Sequence, residues 1–315
     1  MYKKGEEYSF DFGQLREFFR FARSRGIEYF ELSHLFTQWG GKYCPKIMAV
    51  EDGIEKRIFG WETNADDPSY IAFLNSLLPK LVEVLKEEDV QEKCCFHLTD
   101  EPTKEHLLHY ENCRNIVKKN IGNIPTIDAV ENPSFCKNGL VDIPVVVTYK
   151  YDEFNEVDKT KLFAYSCCYP AHGYFSNRFI NMPSQRTRVL GLQLYRNESA
   201  GYLHWGFNFY NSWLSKESVN PYAVTDAGGV FPCGDSFIVY PAGKGAYGSI
   251  RSKVLKEGFQ DYDALRLLES FIGKEEVMRL LSEWGVEGFA IYPRSSEAHL
   301  AFREKINGMI KEYCI

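Results

Sequence analysis

Six apolar runs, mostly separated by segments with helical periodicity, constrain the fold of this 315-residue chain more than any other feature. A continuous apolar run is expected where helices cover both faces of a parallel sheet. Strands of this kind that alternate with helices predict an α/β fold, and a (β/α)8 barrel of the TIM type is its natural architecture. The runs are, in chain order, IEYFELSHLF, CCFHL, IPTIDAV, IPVVVTY, KLFAYSCC and GYLHWGFNFY.

The segments between and after these runs predict helices, loops and a domain division. Helical periodicity marks FGQLREFFRFARSRG, about Pro68 to Glu87, KEHLLHYENCRNIVKKN, MPSQRTRVLGLQLYRNES and the tail from Ser249 to Ile315. The long segment from Thr37 to Asp67 lacks a clear pattern and is predicted to be irregular. The Gly-rich stretch AGGVFPCGDSFIVYPAGKGAYGSIR is predicted to form a loop and a hairpin. We expect a barrel domain over residues 1–270 and a helical extension over residues 271–315 that packs on it.

Charge and cysteine content narrow the classes of partner. The net charge is −6 and the pI is about 5.8, and Lys and Arg cluster no further than in pairs. This balance argues against nucleic acid or an anionic membrane as the main partner and favours a small-molecule or glycan substrate. Nine cysteines without CxxC spacing are interpreted as reduced core thiols, and no metal site or cofactor is predicted. Because the chain shows no apolar leader, it is expected to be cytoplasmic.

Two adjacent carboxylates, Asp100 and Glu101, follow the apolar strand CCFHL and precede Pro102. Catalytic groups of a (β/α) barrel lie at the carboxyl ends of its strands, which is where this pair falls. Pro102 biases Glu101 toward extended backbone, so the strand geometry is expected to persist through the pair. The two side chains would then diverge and serve different atoms of one substrate.

Adjacent acids suit one form of glycoside hydrolysis better than the usual one. Most glycosidases place a carboxylic acid and a carboxylate on opposite sides of the scissile bond. When the sugar's own 2-acetamido oxygen attacks the anomeric carbon, a carboxylate only has to orient the amide beside the acid. Asp100 is then predicted to hold the acetamido nitrogen and Glu101 to act as general acid and then base. Like charge and a dry pocket would keep Glu101 protonated near neutral pH.

A plainer interpretation treats Asp100, Glu101 and Pro102 as the start of a helix, with Thr99 or Asp100 as its cap. Taken alone, the motif favours this alternative. Residues near other predicted strand ends favour a sugar site instead, because a pyranose ring binds against an aromatic face and beside an amide. Packing explains each of them singly, and their joint position on one rim favours a sugar site. The predicted substrate-binding residues are His34, Trp39, Tyr149, Trp205, Asn208 and Tyr210. His97, inside the strand CCFHL, is expected to face the packing of the barrel.

Several phrases together resemble the catalytic region of the family 123 glycoside hydrolases, the β-N-acetylgalactosaminidases. They are YFELSHLFTQWGGKYCPKI, FHLTDEP, NRFINMPSQRTRVLGLQLY, GYLHWGFNFYNS, GDSFIVYPA and SIRSKVLKEGFQDYDALRLLE. The resemblance runs from about Tyr8 to Glu269. It implies a (β/α)8 barrel, retaining hydrolysis assisted by the acetamido group, and terminal N-acetylgalactosamine as the sugar. The family's adjacent Asp-Glu pair falls on Asp100 and Glu101.

The chain departs from that family at its beginning. Family members carry a β-sandwich and two barrel strands ahead of the segment that opens this chain, and six strands rather than eight agree with their loss. An incomplete barrel leaves unpaired strand edges, so the chain is expected to be unstable, oligomeric or inactive unless something completes the barrel, for example association into an oligomer. A signal peptide could be lost with the front, which makes a secreted or surface location the alternative. A non-catalytic carbohydrate-binding remnant and a hydrolase of another sugar stay open beside the enzyme hypothesis.

Overall fold

The computed structural model of the protein describes residues 1–38, 40–171 and 173–314, which fall into two compact units, Met1–Val145 and Val146–Ile315. Within the described ranges, we find no helix with the length and apolarity needed to span a bilayer. All nine cysteines are free. Cys233 and Cys314 are exposed, so the prediction of core thiols is wrong for these two.

The first unit contains two sheets. Its strands are β1 (Tyr2–Lys4), β2 (Glu7–Ser9), β3 (Phe30–Leu32), β4 (Ile47–Glu51), β5 (Ile54–Phe59), β6 (Cys94–His97), β7 (Thr126–Ala129) and β8 (Ile143–Val147), the last of which crosses the unit boundary. Its helices are α1 (Gly13–Ser24), α2 (Pro68–Glu87), α3 (Leu107–Ile121) and α4 (Ser134–Lys137). Strands β3, β6, β7 and β8 are parallel neighbours in that order, and the smaller sheet has the order β2-β1-β4-β5.

The second unit is mostly helical. Its strands are β9 (Phe163–Tyr165), β10 (Gly201–Leu203), β11 (Val239–Ala242) and β12 (Gly245–Gly248), and its helices are α5 (Ser184–Arg188), α6 (Leu190–Arg196), α7 (Ile250–Ile272), α8 (Lys274–Trp284) and α9 (Ser296–Tyr313). Strands β9 and β10 pair in parallel, whereas β11 and β12 form the antiparallel hairpin predicted from the Gly-rich stretch.

The fold class predicted from the sequence is confirmed. Each of the six apolar runs contains one parallel strand, namely β3, β6, β7, β8, β9 and β10. The protein is therefore an α/β protein with an incomplete (β/α)8-type barrel and a C-terminal helical region. The division into domains 1–270 and 271–315 stays a prediction.

The segment from Thr37 to Asp67 was predicted to be irregular. This prediction is partly wrong, because the segment contains β4 and β5. These strands pair antiparallel across a turn in which Asp52 and Gly53 both have positive φ. An Asp-Gly pair with positive φ at both positions is the signature of a type I′ hairpin. The segment therefore holds a hairpin, which β1 joins through β4.

Helix α2 is bounded as the sequence predicted, and its start shows why. The Asp67 carboxylate accepts a hydrogen bond from the Ser69 amide at 2.8 Å, and Pro68 occupies the first turn, where its missing N–H is not needed. The apolar face of α2 buries Tyr70 and Phe73, and both rings contact the Phe59 ring of β5. The hairpin thus contributes to the core of the first unit.

The core of the second unit lies among its helices. Predicted as one helix, the segment 182–199 instead forms α5 and α6, which meet at Val189. Apolar side chains from α6 pack with those of α7, α8 and α9 into one buried cluster that includes Leu192, Leu265, Leu281 and Phe302. The C-terminal helices therefore belong to the core of this unit.

Helices α6 and α7 approach so closely that only glycine fits at their crossing. A Cβ atom on Gly191 would lie 1.7 Å from the carbonyl oxygen of Gly258. We expect Gly191→Ala to lower the free energy of unfolding by about 3 kcal/mol, because backbone would have to move in a packed core. Urea unfolding followed by circular dichroism measures the change.

Gly308→Ala is the matched control, since Gly308 lies in the exposed part of α9 with no heavy atom within 4 Å of the new Cβ. The same substitution should there raise stability by about 0.5 to 1 kcal/mol, because alanine is the better helix former. Equal effects of the two variants would contradict the close approach of α6 and α7.

Candidate active site

The acid pair lies in a loop that its neighbours hold from both sides. Strand β6 ends at His97, and the pair follows after Leu98 and Thr99. The Thr99 amide and hydroxyl both donate to one carboxylate oxygen of Asp128 at 2.9 Å, and the Leu98 carbonyl accepts from the Phe36 amide at 3.0 Å. Thr99 is fully buried. The backbone that presents the pair is therefore fixed immediately before Asp100.

Glycine is required where the first long loop approaches this backbone. Gly41 has a φ of +67°, and a Cβ atom there would lie 2.6 Å from the methyl group of Thr99. The Gly41 carbonyl contacts the Nε2 atom of His109 at 3.0 Å. The loop that follows β3 therefore supports the segment that carries the acids.

The predicted extended backbone at Glu101 is wrong. Its φ is +48°, in the left-handed region that side chains other than glycine seldom adopt. The local preference imposed by Pro102 is outweighed by the contacts on either side of the pair, where Asp128 holds Thr99 and the Thr103 amide donates to His106 Nδ1 at 3.1 Å. Backbone strain of this kind concentrates at functional sites.

Burial sets the charge state of the pair. Burial, helped by the charges of Glu101 and Asp128 and opposed by that of His97, raises the pKa of Asp100 to about 7. Burial likewise raises the pKa of Glu101, helped by Glu131 and Asp128. The predicted rise in the pKa of Glu101 is confirmed, but the carboxylates that contribute to it are Glu131 and Asp128 rather than Asp100. Two neighbouring acids with raised pKa values hold a proton closer to neutral pH than free carboxyl groups do.

His97 lies buried in an ionic row rather than in purely apolar packing. Its Nδ1 atom is 2.6 Å from a carboxylate oxygen of Glu31 on β3, and its Nε2 atom is 3.5 Å from one of Asp128 on β7. Burial lowers the pKa of His97, but Asp128 and Glu31 outweigh it and raise the pKa to about 10. His97 is therefore an imidazolium at neutral pH.

The predicted residue His34 lies against this row. Its ring centroid is 4.1 Å from that of His97. Burial, and then the charge of His97, lower the pKa of His34 to about 4, so its imidazole is neutral at pH 7. A neutral imidazole can donate a hydrogen bond to a sugar hydroxyl or accept one from it.

His97, Asp100 and Asp128 offer donor atoms within 4.8 Å of one another, which is close enough to consider a metal ion. A metal ligand must be a neutral imidazole with a free lone pair. Both ring nitrogens of His97 face carboxylates, which raise its pKa to about 10, so a metal ion would have to displace a ring proton that these carboxylates hold. The arrangement favours an ion-pair network.

The second unit holds Trp205 through a buried polar network of its own. The indole N–H donates to Asp235 at 2.9 Å, and the other oxygen of Asp235 lies 3.3 Å from His204 Nε2. Arg178 donates to His204 Nδ1 at 2.7 Å. Burial lowers the pKa of His204 to about 4, so it is neutral and can accept this bond. Trp205 stays partly exposed, with its orientation fixed by Asp235.

The other predicted sugar contacts fall in different surroundings. Tyr149 is 42% exposed and contacts the ring of Phe175, and Asn208 is exposed. The hydroxyl of Tyr210 donates to a backbone carbonyl at 2.9 Å, which leaves its ring as the part available to a ligand. Trp39 lies outside the described residues. Asp100, Glu101 and His34 belong to the first unit, whereas Tyr149, Trp205, Asn208 and Tyr210 belong to the second.

Sequence reasoning missed the carboxylates around the pair and around Trp205. Asp128 interrupts the apolar run IPTIDAV, and a buried acid in a strand centre is itself a signal of a polar site. Asp235 follows Gly234 in the Gly-rich stretch, which was predicted to be a loop and a hairpin. Glu31 offers no such signal, because it looks like an outward residue of a short strand. Their partners are distant in sequence, so only the fold brings them together.

Comparisons with known proteins bear on the family of this chain. A model of the glycoside hydrolase 123 catalytic domain matches residues 1–268. A solved family 123 glycoside hydrolase from Clostridium perfringens, described in connection with glycolipid glycan hydrolysis, superposes with a TM-score of 0.63 at 16% identity. The alignment covers 99% of this chain and 56% of that one, so the chain spans little more than half of that enzyme's length.

A second solved structure, XacCel5A, has a TM-score of 0.42 at 12% identity over 79% of each chain, a likeness too weak to support an argument. No curated protein sequence matches the chain. The family model covers most of the sequence and includes both acids, in the region where the sequence phrases resembled the family. This protein therefore belongs to glycoside hydrolase family 123.

Proposed function

We propose that this protein is a glycosidase that releases terminal β-linked N-acetylgalactosamine with retention of configuration, assisted by the 2-acetamido group of the substrate. The observation that carries the proposal is the adjacent pair Asp100 and Glu101, both partly buried and both with raised pKa values, inside the matched catalytic domain. A protonated acid beside a carboxylate is what an assisted reaction requires.

In the first step, the acetamido oxygen attacks the anomeric carbon as the glycosidic C–O bond breaks. Glu101 gives its proton to the leaving oxygen, and the carboxylate of Asp100 accepts a hydrogen bond from the amide N–H. Positive charge that develops on the resulting oxazolinium ring is stabilised by Asp100. In the second step, Glu101 takes a proton from water, which attacks the anomeric carbon and reopens the ring.

Substrate contacts are proposed for the residues that the sequence singled out. His34 is neutral at pH 7 and suits a hydroxyl contact, and Trp205 offers an indole face whose orientation Asp235 fixes. Tyr149 and Asn208 are exposed, and Tyr210 can contribute its ring. Trp39 is retained from the sequence. A glycan is the partner that these groups suit, in keeping with the description of the Clostridium perfringens enzyme.

The function is tested with the full chain on three aryl glycosides: the 2-acetamido β-galactoside, its glucose epimer and the β-galactoside without the acetamido group. We expect the aryl group to be released faster from the 2-acetamido β-galactoside than from the other two glycosides. Proton NMR of the first sugar formed should show the β anomer, as retention requires.

The outcomes separate the competing hypotheses. Equal rates on the galactosides with and without the acetamido group would reject substrate assistance and indicate a hydrolase of another sugar. Calorimetric binding of N-acetylgalactosamine without any product by chromatography would indicate a carbohydrate-binding protein. Faster cleavage of the glucose epimer would change the assigned sugar and leave the mechanism in place.

A further inference from the structure

The ionic row beside the acid pair joins three neighbouring strands. Glu31 lies on β3, His97 on β6 and Asp128 on β7, and the imidazole of His97 lies between the two carboxylates at 2.6 and 3.5 Å. The His97 side chain is 7% exposed and that of Asp128 is fully buried. Burying charged groups is costly unless they are well paired and hydrogen-bonded, and apolar residues could fill these strand positions without that cost.

Asp128 connects this row to the backbone of the acid pair. One of its oxygens accepts both hydrogen bonds from Thr99, the residue immediately before Asp100, and the other faces His97. The position of the imidazole and the position of the Asp100 main chain are thus set by the same carboxylate. A displacement of His97 would therefore change the position of the Asp100 main chain.

His97 is also close enough to act on Asp100 directly. A ring nitrogen of His97 and carboxylate oxygens of Asp100 and Asp128 all lie within 4.8 Å of one another. An opposite charge at 4 to 6 Å shifts a buried carboxyl group strongly toward its ionised form. Among the groups that act on the charge of Asp100, Glu101, Asp128 and Glu31 favour its protonated form, and His97 favours the carboxylate.

We propose that His97 is a positioning residue whose imidazolium, fixed between Glu31 and Asp128, offsets part of the burial of Asp100, so that Asp100 becomes a carboxylate at a lower pH than burial alone would allow. The inference rests on the proposed function, since only a carboxylate can accept the amide N–H and balance an oxazolinium charge. A protonated Asp100 would do neither. His97 therefore offsets the burial that makes Glu101 a good acid but would also neutralise its neighbour.

Other titratable groups around His97 and the pair do not replace this charge. His34 is neutral above pH 4, and Glu131 acts on Glu101 with the same sign as Asp128. The Tyr110 hydroxyl of α3 lies near Asp128, and burial, then the charge of Asp128, raises its pKa well above the usual value, so it stays neutral. The imidazolium is the cation among these groups.

Two NMR titrations of the full chain test the proposal without requiring turnover. Aspartate labelled with carbon-13 at the side-chain carboxyl gives the titration of Asp100, whose signal is assigned by its loss in Asp100→Asn. His97→Gln should move that titration upward by about one pH unit or more. Nitrogen-15 spectra of the wild-type imidazoles should show His97 protonated at pH 8.

The pH dependence of kcat provides the functional readout. In His97→Gln the acidic limb should move upward together with the Asp100 titration, so the rate at pH 6 falls about tenfold while the difference narrows at higher pH. His299→Gln is the matched control, because this buried histidine of α9 contacts the Pro293 carbonyl at 2.9 Å and belongs to the second unit, whereas the acid pair belongs to the first. It should move neither the titration nor the limb.

The outcomes are distinguishable from a failure of the proposed function. An Asp100 titration that is unchanged in His97→Gln overturns the role of His97, and so does a wild-type His97 that is neutral at pH 7. The second measurement needs no variant and holds if His97→Gln does not fold. A wild-type chain that cleaves no acetamido glycoside refutes the function, while the two titrations still decide on His97.

Discussion

Glu101→Gln is expected to lower kcat by about 10³-fold on a substrate with a poor leaving group, because glutamine can neither donate a proton to the leaving oxygen nor accept one from water. The isosteric amide keeps the side-chain volume in a site where the backbone at residue 101 is already strained. Aryl glycosides with increasingly acidic phenols should lose progressively less activity. Steady-state kinetics over such a series measures the effect.

Glu105→Gln is the control for that variant. Glu105 is exposed, lies four residues further along the chain, and undergoes the same change of charge and shape. It should retain wild-type turnover. Azide should accelerate only Glu101→Gln and give a β-glycosyl azide, because azide needs no general base in the second step. Full turnover in Glu101→Gln would remove Glu101 from the mechanism.

Asp100→Asn is expected to lower kcat on acetamido glycosides by about 10² to 10³-fold. Asparagine retains a carbonyl oxygen for the amide N–H but lacks the charge that balances the oxazolinium ring. The affinity for a thiazoline analogue of that ring should fall in parallel. Unchanged turnover together with unchanged thiazoline binding would contradict the role given to Asp100.

The same substitution should stabilise the fold in a pH-dependent way. The pKa of Asp100 is raised from an ordinary value near 3.8 to about 7, so its ionisation in the folded protein is unfavourable. The stability that this raised pKa provides is fully present below pH 3.8 and is lost as the pH rises through about 7. Asparagine removes the dependence, so Asp100→Asn should be more stable than wild type at pH 8 by on the order of 3 kcal/mol.

Urea unfolding at pH 4 and pH 8 measures this effect, and the two forms should differ little at pH 4. Asp89→Asn provides the exposed control and should show no such pH-dependent gain, since its side chain is 96% exposed. An Asp100→Asn variant that is destabilised at pH 8 would mean that its carboxylate is bound favourably in the fold. That result would contradict the electrostatic picture of the pair.

Part of the fold could be read from local patterns. Each apolar run contained a parallel strand, and α2 was bounded correctly because Asp67 and Pro68 supply a cap and a first turn. The hairpin of β4 and β5 was missed although Asp52 and Gly53 are a recognised turn signal. Strand β5 is largely exposed and charged, so hydrophobic periodicity gave no indication of it.

The candidate site was predictable only in its adjacent acids. Asp100 and Glu101 are neighbours in sequence, so their pairing needs no fold, and the family domain that contains them was recognised from short phrases. Their backbone was predicted wrongly, because the anchor of Thr99 on Asp128 is a contact across 29 residues. Propensity rules describe the isolated segment and cannot include such a contact.

Periodicity and adjacency are local properties of a chain, and they were enough to locate the six parallel strands, to recognise the family and to find two acids after a buried strand. The charge states of those acids, by contrast, depend on the three-dimensional fold. Burial and the placement of Glu31, His97 and Asp128 on neighbouring strands act through space, and the strength of a charge interaction depends on distance and on exclusion of water rather than on position in the sequence.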